Sequence, residues 1–151
     1  MDRIATCLWY SNSAEEAVRF YGEVFPDLRV HEIARKPGGD ALVVLFELRG
    51  QHYMALNGGP NYSLSPAASI YVPCTDQAEV DRLWSALTAG GTELQCGWLT
   101  DAYGLTWQVV PSELPRLLTD PDPAKAERAQ QALLPMRKID IATIRKAATE
   151  G

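Results

Sequence analysis

The chain has 151 residues, 46% of them hydrophobic and 22% charged, the balance of a globular protein long enough for one domain, or for two small halves sharing a core. Its net charge of −5 is spread along the chain with no run of Lys or Arg to follow a phosphate backbone, so nucleic acid is not expected as a partner. No apolar stretch reaches the roughly 18 residues that a membrane span needs, which leaves a cytoplasmic protein with no membrane partner as the expectation.

Arg3–Tyr10 is an apolar, β-leaning run that ends at the turn-forming Ser11-Asn12-Ser13. Ser13 with Glu16 reads as a capping box. Ala14, Ala17, Val18, Tyr21, Val24 and Phe25 then recur at helical spacing as far as Pro26. Leu28–Ala34, Ala41–Leu48 and Gln51–Leu56 read as strands separated by Gly- and Pro-bearing turns. The first half is therefore β-α-β-β-β. Asn57–Ser65 is rich in Gly, Pro, Asn and Ser and reads as the connection between halves.

The pattern then starts again. Ala68–Cys74 reads as a strand in which Pro73 marks a sheet edge or a departure from the ladder. Asp76 and Glu79 repeat the capping arrangement, and Val80, Leu83, Trp84 and Leu87 form an apolar helical stripe that Gly90-Gly91 ends. Thr92–Cys96, Trp98–Thr100 and Leu105–Val110 supply three more strands. Aligning Ala17–Tyr21 with Val80–Trp84 also aligns Thr6 with Ser69 and Ser13 with Asp76, which marks an internal repeat of one supersecondary unit.

Within the second copy, Cys96–Pro111 is an aromatic hairpin whose inward face is a candidate wall for a ligand site. Asp101 suits its first turn position because a carboxylate there can accept backbone N–H groups further on. Beyond Pro111, short helices are expected over Glu113–Leu118, Ala124–Met136 and Ile141–Ala148, the last capped by Asp140, as a clasp over the sheet or across a partner subunit.

With two β-α-β-β-β units in place, the chain resembles the vicinal oxygen chelate superfamily of glyoxalases, bleomycin-resistance proteins and dioxygenases, and within it the PhnB-like branch. The resemblance is carried by Leu8-Trp9-Tyr10 with Ala14–Ala17 and Phe20-Tyr21, by Phe46–Leu48 with Gly50-Gln51, and by Ala55–Gly59. Glu79–Asp81 with Trp84, Cys96–Trp98 with Trp107-Gln108, and the tail from Asp120 to Asp140 continue it. It implies an α+β fold in which two βαβββ repeats form curved mixed sheets around a cleft, followed by a helical C-terminal tail. The parts of this single domain would be residues 1–57, a linker at 58–67, residues 68–111 and the tail at 112–151. A homodimer is also implied. Some members of the branch are labelled 3-demethylubiquinone-9 3-methyltransferase. The chain lacks the glycine-rich strand-to-helix loop and following acidic residue that many nucleotide-cofactor folds use.

Enzymes of the superfamily hold a divalent metal with four side chains, two from each half. Carried over by position, those places fall at or near Thr6, Met54, Ser69 and Gln108, and only Gln108 is a plausible ligand. The expectation is thus a metal-free, cofactor-free binder of a small molecule, with Thr6, Met54, Ser69, Trp98 and Gln108 lining the cleft. An enzyme with an atypical ligand set is the alternative. Cys7, Cys74 and Cys96 are an odd number without CxxC spacing and read as reduced, structural thiols. Of the two histidines, His31 and His52, the second falls near a hairpin turn and reads as a solvated strand residue. Trp9, Trp98 and Trp107 could each fill a core or face a ligand.

Overall fold

The computed structural model describes residues 2–150, and the chain divides into two compact units on either side of the Ser65–Pro66 bond. In the first unit, β1 (Thr6–Tyr10), α1 (Ala14–Val24), β2 (Arg29–Arg35), β3 (Ala41–Leu48) and β4 (Gln51–Asn57) follow one another. The sheet order is β1-β4-β3-β2, with β1 and β4 parallel and the other pairs antiparallel. Strands have a side-chain period of two, so one face collects Leu8, Tyr10, Val44, Phe46, Tyr53 and Ala55, all buried. Helix α1 supplies Ala17, Val18, Tyr21 and Val24 to the same core, and the Tyr10 and Tyr21 hydroxyls meet at 3.0 Å.

The start of α1 departs from the expected capping box. Ser13 sits at φ −110°, ψ 16°, and its side chain caps nothing, because that ψ lies outside the extended region from which a cap side chain reaches the next amides. Asn57 meets the first amide of the helix from the end of β4. Its Oδ1 accepts the Ala14 N–H at 2.8 Å while its Nδ2 donates to the Ala41 carbonyl at 3.0 Å.

The second unit repeats the topology with β5 (Ser69–Cys74), α2 (Gln77–Thr88), β6 (Thr92–Glu93), β7 (Trp98–Thr100) and β8 (Thr106–Pro111) in the order β5-β8-β7-β6. Strand β5 pairs only with β8, so Pro73, which has no N–H, stands on an edge strand as its sequence position suggests. Here the cap forms. Asp76 is extended, at φ −153° and ψ 175°, and its carboxylate accepts the Glu79 N–H at 2.9 Å. Replacing Asp76 by Ala should therefore cost about 1 kcal/mol in urea denaturation, and Ser13→Ala under about 0.5 kcal/mol. Equal losses from the two would contradict this assignment.

The strand expected over Thr92–Cys96 keeps only two residues. Cys96 and Gly97 take positive φ, 59° and 84°, and turn the chain between β6 and β7. Three helices follow: α3 (Leu114–Leu118), α4 (Pro123–Leu133) and α5 (Ile141–Thr149). They close a core of Val110, Leu114, Ala129, Ile139, Ile141, Ile144 and Ala148. The tail is thus a clasp on its own unit. Gln77 holds it with both ends of its amide: Nε2 donates to the Ile139 carbonyl at 2.9 Å and Oε1 accepts the Ile141 N–H at 3.0 Å. Among the described residues no helix is long and apolar enough to cross a membrane.

Candidate functional site

Each sheet has one face covered by a helix, and the ladder registers decide which side chains share the other, here the open face, which in the second unit also carries the buried Thr106. In the second unit Trp98 and Tyr71 both pair with Gln108, while Ser69 and Thr100 both pair with Thr106. Side chains of paired residues project to the same side. Ser69, Tyr71, Trp98 and Gln108 therefore share one face, opposite the buried Val72, Leu99, Trp107 and Val109. The three expected site residues of this half come together. Gln108 Nε2 donates to Ser69 Oγ at 2.9 Å, so the amide carbonyl is turned away from the serine. The result is an uncharged surface of hydroxyl, amide and indole, with Tyr71 47% exposed beside it.

The first unit places its residues differently, and its register corrects one expected grouping. Met54 pairs with Cys7, whereas Thr6 pairs with Tyr53. Thr6 therefore lies in phase with Leu8 and Tyr10 on the side that α1 covers, and the neighbour of Met54 on the open face is Cys7. Arg3–Tyr10 carries apolar residues at both parities, so no alternation along it marks which set faces the helix. Cys7 is exposed, and burial of part of its environment pushes its thiol above the ordinary cysteine range, which lowers the thiolate fraction available for nucleophilic attack or metal binding.

The tryptophans divide by the same rule. Trp107 is 1% exposed and serves the core of the hairpin turn, donating its indole N–H to Asp101 Oδ2 at 2.8 Å. Trp98 stands on the open face of the second unit. Trp9 stands on the open face of the first, under the loop that follows β4. Its Nε1 donates to the Gly59 carbonyl at 2.9 Å, and its ring meets Tyr62 edge-on at 4.9 Å. Gly58 passes so near that a Cβ there would fall 2.4 Å from the indole. Cys96 is tied into the chain turn, where its backbone N–H donates to the Met136 carbonyl at 2.7 Å.

The metal that the superfamily resemblance implies does not suit these residues. The carried-over positions provide a thioether at Met54, a hydroxyl at Ser69, an amide at Gln108 and, with the corrected register, a thiol at Cys7. A divalent cation in a four-ligand site takes imidazole and carboxylate donors, or several thiolates. Among the described residues, no three His, Cys, Asp or Glu side chains are grouped to hold a metal ion. What sequence reading missed is a charged cluster elsewhere on the first unit's open face, where Glu47 stands between His31 and His52. Only the pairing of β2, β3 and β4 brings those three residues together.

Comparison with known proteins places the chain among relatives of the same architecture. The family described as 3-demethylubiquinone-9 3-methyltransferase matches residues 2–110. Among solved structures, a putative 3-demethylubiquinone-9 3-methyltransferase, PhnB protein, from Bacillus cereus is similar at 30% identity, covering 73% of this chain and 99% of that one with a TM-score of 0.68. A Pseudomonas aeruginosa protein is similar at 20% identity, covering 71% and 95% with a TM-score of 0.59. The fosfomycin resistance protein FosX from Mesorhizobium loti follows at 15% identity, covering 71% and 89% with a TM-score of 0.50. The last two speak to fold alone. No curated protein matches. The family match ends at residue 110, so the helical tail lies outside it.

Proposed function

We propose, from the premise that this chain belongs to the family described as 3-demethylubiquinone-9 3-methyltransferase, within the vicinal oxygen chelate superfamily, that it binds a small molecule without a catalytic metal. The observation that carries this reading is the Ser69–Gln108 hydrogen bond beside Trp98 on an uncharged sheet face. Trp98 offers a flat apolar surface, the Gln108 carbonyl an acceptor, and the Ser69 hydroxyl a donor. An uncharged ligand with a planar apolar part and one or two polar groups fits that set. Met54, on the open face of the first unit, offers an adaptable apolar surface on that face.

The family's description names methyl transfer, and the topology gives that activity little support. Each unit has one parallel strand pair rather than a doubly wound parallel sheet, and the β1–α1 turn is Ser11-Asn12-Ser13 rather than a glycine-rich loop. The alternative kept open is a metal-dependent enzyme of the superfamily with an unusual ligand set. Metal analysis and a thermal-shift screen against a metabolite library separate the two. The expected result is substoichiometric metal, with an uncharged hit whose affinity falls about tenfold, or about 1.4 kcal/mol, in Trp98→Ala and in Gln108→Ala. Stoichiometric Zn, Mn, Ni or Fe that disappears in Gln108→Ala would overturn the metal-free reading. The homodimer is part of this proposal, and light scattering that finds only monomer removes it.

A further inference from the structure

The open face of the first unit carries a different chemistry from that of the second. Strand β2 bulges at His31, where the register with β3 shifts between Val30 and Glu32. The bulge brings His31 beside Glu47, and His52 is Glu47's partner across β3 and β4. His31 Nε2 lies 3.4 Å from Glu47 Oε2, and His52 Nε2 lies 3.7 Å from Oε1. The two imidazole rings stack at 5.8 Å between centroids and 17° between planes. These groups, with Leu45, Asp2, Arg3 and Glu32, line a cavity of about 380 Å³.

Arg3 shows what the cluster accepts. Its NH1 stands 3.4 Å from His52 Nε2. A guanidinium has no acceptor, so in this contact it donates and the ring nitrogen of His52 accepts. The His52 nitrogen and the Glu47 carboxylate are then two acceptors at the same place. In the lining, the carboxylates of Asp2, Glu32 and Glu47 outnumber the one guanidinium, that of Arg3. Such a lining repels anions and leaves excess negative charge for a cation.

We propose that this cavity is a binding site for a small organic cation, a guanidinium or primary amine, and that Arg3 is the chain's own occupant of part of it. The cation donates to Glu47 and to His52 Nε2 while its flat or methylene portion lies along the stacked imidazoles and Leu45. This inference does not rest on the Ser69–Gln108 site.

The protein has two histidines, so ¹H–¹³C correlation spectra of their Cε1–H groups read the site without overlap. The probe is agmatine at about pH 8, where unperturbed imidazoles are neutral, with N-butylurea as an uncharged control. The expected result is a saturable shift of both histidine signals by agmatine and none by the urea. Affinity should rise several-fold in Arg3→Ala and fall at least tenfold in the isosteric Glu47→Gln. The absence of a saturable shift up to about 10 mM agmatine, a level far above ordinary small-ligand dissociation constants, overturns the proposal. Equal shifts by the urea, or unchanged affinity in Glu47→Gln, do the same. Unchanged affinity in Arg3→Ala overturns the role given to Arg3. The readout lies on the first unit's histidines, so its failure is distinguishable from failure at Trp98 and Gln108.

Discussion

Asp101→Ala should destabilise the second unit by about 3–4 kcal/mol, among the largest losses from any single side chain in this protein. Asp101 is 3% exposed, and its carboxylate organises the whole β7–β8 turn. Oδ1 accepts the N–H groups of Tyr103 at 2.8 Å and Leu105 at 3.1 Å, and Oδ2 accepts the indole N–H of Trp107 at 2.8 Å. Alanine leaves two turn amides and a buried indole donor without that acceptor, at about 1–3 kcal/mol for each group that stays dry, offset where water enters. Asp101→Asn keeps a carbonyl for the backbone amides but turns an NH₂ group toward the indole, so an intermediate loss of about 1–2 kcal/mol is expected. Urea denaturation followed by tryptophan fluorescence measures both. A loss below about 1 kcal/mol for Asp101→Ala would show that the turn is held mainly by its backbone. Since the same hairpin displays Trp98 and Gln108, a loosened turn should also weaken the binding proposed for that face.

Gly97→Ala should unseat the tail. Gly97 has φ +84°, and a Cβ there would meet Ile139 Cδ1 at 2.6 Å and the Val109 carbonyl at 2.9 Å. The residue also donates its N–H to the Arg137 carbonyl at 2.8 Å and accepts the Val109 N–H at 2.8 Å, so it cannot move without loosening either the tail or β8. The left-handed conformation alone costs a side-chain-bearing residue about 1–2 kcal/mol, and the steric clash adds about 1–3 kcal/mol. Gly104→Ala is the matched control. It has φ +91° and nothing within 4 Å of the added carbon, so it should show the conformational cost alone. Limited proteolysis between α3 and α5 reads the difference: the tail of Gly97→Ala should be cut many times faster than wild type, and that of Gly104→Ala should not. Similar behaviour of the two variants would mean that Gly97 matters only for its φ.

Much of the fold was legible in the residues because the signals are local. The stripe Val80, Leu83, Trp84, Leu87 fixed α2 since those side chains can be buried together only on a helix. Asp76, Asp122 and Asp140 each cap the helix expected after them, accepting the N–H groups of Glu79, Ala124 and Thr143. Asp101 accepts turn amides as its position suggests. The repeat was visible for the same reason, as two copies of one local pattern. Ser13 is the instructive exception. It has the right residue type and spacing for a cap, but its ψ of 16° keeps the hydroxyl from the following amides, and the first amide, that of Ala14, is met by Asn57, a residue from the other end of the unit.

The sequence by itself determined the two βαβββ units, the aromatic hairpin and the tail helices, all of which follow from periodicity and turn chemistry within a few residues. Only the tertiary structure decided which side chains share a face. Strand pairing has a period of two, so a shift of one residue exchanges open and covered faces; that is why Cys7 rather than Thr6 stands beside Met54. The same pairing assembled Ser69 with Gln108, and His31 with Glu47 and His52. Those contacts are set by ladder register between distant segments, and no spacing along the chain encodes them.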